Sequence, residues 1–131
     1  MTPLLSVSSQ GRDLIVRSSD ELREVLAAAD RTGGGEFWLA LPGQAFPSLA
    51  IRISAGQADV HYFPAEGHPG FRRLAERPGR SASLFQFAGS DPSSGESVPG
   101  EFVVPLAEAL ALAAHFMEQG GMCEPSRWFE L

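Results

Sequence analysis

Few residues of this 131-residue chain have types that could do chemistry: three histidines, one cysteine and a local cluster of arginines. His61, Glu66 and His68 lie close together in sequence, and imidazole and carboxylate groups in such proximity can bind a metal or move a proton. Their spacing matches no tight ligand motif. A strand histidine and a loop histidine held by ordinary hydrogen bonds is the simpler reading. Cys123 with His115 is the other nucleophile and base pairing on offer. His115 borders an apolar helical stripe, and nothing near it supplies an oxyanion hole or an orienting third residue, so a structural thiol is expected. A single cysteine also excludes the paired-cysteine zinc signature of nucleobase deaminases. Gly33 to Gly35 cannot open a P-loop, because the chain contains no lysine, and neither GxGxxG nor GxSxG occurs. The sequence therefore assigns no catalytic residue, no metal ligand and no cofactor.

Sixteen acidic residues against ten basic ones, all arginine, give a net charge of −6. Such a surface repels a phosphate backbone and attracts a basic partner, which disfavours direct nucleic-acid binding. Arg72, Arg73, Arg77 and Arg80 make the stretch from Phe71 to Arg80 locally positive, and a solvated loop face is expected there ahead of an anion site. With 44% hydrophobic and 20% charged residues the chain has the composition of a folded protein. Its length suits a single domain over residues 1–131. No apolar run approaches the roughly 20 residues that span a bilayer. Met1 to Gln10 lacks the basic start and apolar stretch of a signal peptide. With the lone cysteine, these features lead to the expectation of a cytoplasmic protein.

The elements that must position these residues follow from periodicity. Leu4 to Ser8 and Asp13 to Arg17 read as a hairpin turning at Gln10 and Gly11. Ser18 and Glu21 have capping-box spacing, and Leu22, Val25, Leu26 and Ala29 share one helical face, which predicts a helix from Ser19 to Asp30. Glu36 to Leu41, Ser48 to Ser54 and Ala58 to Phe63 alternate with period two and read as strands, the last two paired through a turn at Ala55 to Gln57. A further strand is expected at Ser83 to Ala88, an exposed loop at Gly89 to Gly100 and a short extended piece at Glu101 to Val104. From Pro105 the period becomes 3.6, with Leu106, Ala109, Leu110, Ala113, Phe116 and Met117 on one stripe that stops at Gly120. The expected class is α+β: an antiparallel sheet of about five strands packed by two main helices. Trp38 falls on the strand face opposite Phe37 and Leu39. Trp38, Trp128, Tyr62 and Phe63 could anchor an interface. Large aromatics are buried on average, however, so core or edge packing is their first reading.

Two stretches carry a resemblance. One is His61-Tyr62-Phe63 leading through Gly67-His68-Pro69-Gly70-Phe71; the other is the helix after Val104-Pro105, with Glu108-Ala109, Phe116 and Gly120, followed by Pro125 and Trp128. In this order, from about Glu36 onward, the chain resembles the first-numbered family of immunity proteins from bacterial polymorphic toxin systems. It departs from that pattern at Gly121 to Glu124 and in the position of Glu130. The resemblance implies a cytoplasmic antidote, not an enzyme, that binds a cognate toxin domain, with members associated with toxins of the deaminase superfamily. It implies partner contacts near the central loop, at Tyr62, Glu66 and His68 with the acidic neighbour Asp59. The glycines, prolines and Trp128 would hold the fold. A generic protein-binding adaptor is the alternative, with a small metal-binding enzyme or sensor behind it.

Overall fold

The computed structural model describes residues 4–9, 11–76 and 98–131. Strands β1 (Leu5–Ser9) and β2 (Arg12–Val16) form the first hairpin. Helix α1 (Ser19–Arg31) starts where Ser18 Oγ accepts the Glu21 amide at 3.1 Å, the bond that the capping residues predict. It buries Leu22 and Leu26. Strands β3 (Gly35–Ala40), β4 (Ser48–Ser54) and β5 (Gln57–Phe63) follow as an antiparallel meander. Ala55 and Gly56 make the β4–β5 turn, both at positive φ, and Asp30 Oδ1 accepts the Gly56 amide at 2.7 Å. Helix α2 (Leu106–Gln119) crosses the sheet and stops at Gly120, whose φ of 74° suits a residue without a Cβ.

Three short strands complete the sheet: β6 (Phe71–Arg73), β7 (Val104–Pro105) and β8 (Trp128–Glu130). The order is β2-β1-β3-β4-β5-β6-β8, with β7 pairing Gln57 and Ala58 on the same edge of β5 that β6 takes at His61 and Tyr62, and every pairing is antiparallel. The class is α+β, as expected, but the eight strands among the described residues exceed the five or so expected. Strands of two or three residues are too short to show alternation, and Phe71-Arg72-Arg73 reads as a polar loop until a partner strand is in place. The strand expected at Ser83 to Ala88, Arg77, Arg80 and most of the loop expected at Gly89 to Gly100 lie outside the described residues. The extended piece expected at Glu101 to Val104 begins instead as a helical turn, Gly100–Phe102.

Both helices lie on one face of the sheet. Phe37, Leu39, Ile51, Ile53 and Val60 meet Leu22 and Leu26 of α1 and Leu112 and Phe116 of α2 in a single buried cluster. The α2 stripe is wider than expected: Leu112 and Ala114 are buried, while Leu106 and Leu110 are only partly so. Phe116 is wholly buried, and truncating such a side chain to alanine costs about 3–5 kcal/mol. Among the described residues, no helix is long and apolar enough to cross a membrane.

Candidate functional site

The sheet face turned away from the helices carries the most distinctive chemistry. Register aligns Ser8, Trp38, Ala50, His61, Arg72 and Phe129 in one row across six strands. Beside it, Glu36, Arg52 and Asp59 form a second row. Trp38 is 44% exposed although its neighbours Phe37 and Leu39 are core residues, because alternation along β3 sends it outward. Its ring stacks on Phe63 at 5.6 Å, and Phe63 in turn stacks on His61 at 6.0 Å. Ala50 lies between Trp38 and His61 in the row, so its methyl leaves a notch of about 300 Å³ lined by Glu36, Trp38, Ala50, Arg52, His61 and Phe63. The Trp38 indole N–H donates to Glu36 Oε1 at 3.1 Å, fixing the carboxylate at the rim.

Beneath the rim a buried carboxylate organises three basic side chains. Asp59 accepts from Arg52 Nη2 at 2.5 Å and from Arg72 Nε and Nη2 at 3.3 and 3.2 Å, while its side chain is inaccessible to solvent. His61 Nδ1 is 3.8 Å from the same oxygen. Burial holds the His61 pKa below its ordinary 6.5, against the pull of Asp59 and with help from the two arginines. Arg72 also lies 4.4 Å from the centroid of the Phe102 ring, which itself packs near Phe129. The groups on this face are thus oriented before any partner arrives.

No family model matches the chain, and no curated protein matches it in sequence.

The four residues expected as partner contacts divide. Glu66 is exposed and His68 half-buried, both on the loop between β5 and β6. Asp59 and Tyr62 are instead buried, with 1% and 9% of their surface exposed. Tyr62 points in the inward phase of β5, its ring within 6.2 Å of Phe116 and Trp128, and its hydroxyl donates to the Gly120 carbonyl at 3.4 Å. The same burial raises the Tyr62 pKa above 10. His68 is committed within the fold: Nδ1 accepts the Gly70 amide at 2.8 Å, which leaves Nε2 to donate to Glu130 Oε2 at 3.2 Å, and the ring stacks on Phe71. His61 and His68 therefore serve different partners, and no group of three potential metal ligands occurs among the described residues.

The arginines at 72 and 73 do not form the solvated loop face expected of them. Successive positions on β6 send Arg72 to the open face and Arg73 to the helix side, where it is 1% exposed. Arg73 donates to the Cys123 carbonyl at 2.6 Å and to Glu124 at 3.0 Å. Glu108 on α2 receives Arg127 at 3.0 Å and approaches Arg73 at 3.6 Å. Trp128 also donates to the Cys123 carbonyl, at 2.8 Å. Cys123 thus acts through its backbone. Within the stretch Gly121 to Glu124 and at Glu130, where the chain departs from the resembled pattern, Glu124 pairs with Arg73 and Glu130 accepts from His68.

Proposed function

We propose that this protein is an immunity protein that binds and neutralises a cognate polymorphic toxin, of the class whose catalytic domain deaminates nucleobases. The observation that carries a binding role is the helix-free sheet face, where exposed Trp38 stacks on Phe63 beside side chains already locked by Asp59. Aromatic anchors beside pre-ordered charges are the usual composition of an interface hot spot. The net charge of −6 favours a basic partner, and a domain that receives a nucleic acid must be basic around its cleft. An acidic antidote can occupy that cleft or its rim. The resembled motif supports the same reading, since Gly70, His68 and Trp128 hold the loop and the last strand together.

Co-purification with the toxin domain encoded beside it, followed by titration, tests the reading. A one-to-one complex of nanomolar affinity, about −12 kcal/mol, is expected, with restoration of growth in toxin-producing cells. Trp38→Ala should weaken it by roughly 30-fold, the loss of about 2 kcal/mol typical of a hot-spot aromatic. A folded toxin domain that neither binds nor is inhibited would refute the proposal.

A further inference from the structure

We propose that two copies of this chain join along the outer edge of β2 into a two-fold symmetric dimer with one continuous sheet. The inference stands apart from toxin binding. Strand β2 ends the strand order, and among the described residues no strand pairs with its outer edge. Unpaired N–H and C=O groups make such an edge a template for another strand, and lysine, proline or a bulge usually blunts it. The run Arg12-Asp13-Leu14-Ile15-Val16 has no lysine or proline and pairs with β1 in unbroken register. Leu14 lies opposite buried Val7 and Ile15 opposite Ser6, so they point to opposite faces, yet both are exposed, 45% and 44%.

Hairpin geometry says which groups the edge offers. Ser9 and Arg12 pair across only two residues, so they exchange hydrogen bonds, and bonded pairs recur at Val7 with Leu14 and Leu5 with Val16. The backbone groups of Asp13, Ile15 and Arg17 therefore point outward. The chain is still extended at Ser18, with φ −150° and ψ 158°, so Arg17 continues the alternation on the face of Asp13 and Ile15. Charge then selects one register. Centred on Ile15, a two-fold ladder sets Asp13 opposite Arg17 of the second copy twice over, and Ile15 opposite itself. Centring on Asp13 or Arg17 opposes like charges, and the registers between them set a charge against Ile15. Asp13 and Arg17 are both exposed. Asp13 Oδ1 accepts from Ser8 Oγ at 2.7 Å, and among the described residues Arg17 has no ion-pair partner. The two-fold axis stands perpendicular to the sheet, which keeps both Trp38 rings on the same open face.

The test is sedimentation equilibrium of the full chain at concentrations up to about 500 µM, the range in which a small, transient interface is read. A reversible dimer is expected. Its seam is short and each copy carries a net charge of −6, so the dissociation constant should be weaker than about 1 µM. Asp13→Arg and Arg17→Asp should each weaken the dimer about tenfold, since every dimer holds two of the pairs. Mixing these two variants should restore wild-type association, because a seam with two arginines then faces one with two aspartates. The double variant should restore it alone. Recovery on mixing cannot come from repaired folding. Trp38→Ala, two strands in from the seam, should leave the dimer unchanged. Amide exchange at Asp13, Ile15 and Arg17 should slow in ¹⁵N spectra as the protein is concentrated. A wild type that stays monomeric at about 500 µM overturns the inference. So does a dimer indifferent to both charge reversals, or a pair of variants that fails to recover on mixing. A monomer that binds and neutralises the toxin removes the dimer and leaves the immunity reading standing.

Discussion

Replacing Asp59 with asparagine keeps the side-chain shape and removes one charge, so its cost measures how strongly the buried carboxylate holds the open face together. Asp59 accepts three hydrogen bonds from two guanidinium groups, and bonds to charged partners contribute about 1.5–3 kcal/mol each. With its oxygen in the Oδ2 position asparagine loses the Arg72 Nε bond to Oδ1 and keeps the other two at about half their strength, since the acceptor is no longer charged, so the equivalent of about two of the three bonds is lost. The gross loss is about 3–6 kcal/mol. Arg52 and Arg72 keep 24% and 15% of their side-chain surface in solvent and rehydrate in part. A net cost of about 2–4 kcal/mol results, overlapping the lower end of the range for breaking a wholly buried pair. With a urea slope of about 1.5 kcal/mol/M, the unfolding midpoint should fall by about 1.3–2.7 M. The same substitution removes the attraction that raises the His61 pKa, which should drop further in an NMR titration. A midpoint within about 0.3 M of wild type would refute the reasoning. So would an equal cost of Asp59→Asn in a background where Arg52 and Arg72 are both glutamine, since no guanidinium is then left unpaired.

The remaining expectations address the pH response and two backbone positions. The folded His61 binds its proton less readily than the unfolded chain, so stability should decline as pH falls below 6.5 and level off below the folded pKa. Urea midpoints between pH 5 and 8 read this, and His61→Gln should flatten the curve. Gly70→Ala would place a Cβ 2.8 Å from the Phe63 ring and 3.0 Å from the Tyr62 carbonyl at a φ of 96°, costing about 2–3 kcal/mol by thermal or urea unfolding. Ala55 holds a φ of 52° in the β4–β5 turn, where Asn followed by Gly is the favoured pair. Ala55→Asn should therefore stabilise by about 1 kcal/mol and raise Tm by a few degrees in calorimetry.

The helices and the long hairpins were legible because their signals are local. Ser18 and Glu21 mark the start of α1, Gly120 marks the end of α2, and Phe37 and Leu39 fix the inward phase of β3. The short strands β6 and β8 were not, since three residues acquire strand character only from the partner across the ladder. The same gap hid Arg73, whose burial depends on Glu124, Glu108 and Trp128 arriving from the end of the chain. For the candidate site, alternation placed Trp38 opposite the core, but the notch needed Ala50 and His61 to come into register from two other strands. In sequence Asp59 is an acidic neighbour of the central loop, and only the pairing of β4, β5 and β6 brings two arginines over it.

Strict alternation along β3 and β5 divides the labour of these strands by parity. Phe37, Leu39, Val60 and Tyr62 build the interior, while Glu36, Trp38, His61 and Phe63 are displayed on the opposite surface. Exchanging the exposed pair Glu36 and Trp38 leaves the volume of the interior unchanged, and surface substitutions of this kind usually shift stability by no more than about 0.5 kcal/mol. Under the proposed function these positions are a recognition alphabet that can be rewritten without renegotiating the fold. A lineage facing a changing partner could then vary them while the scaffold stays fixed, and a designer could recode the same positions to redirect the molecule to a new target.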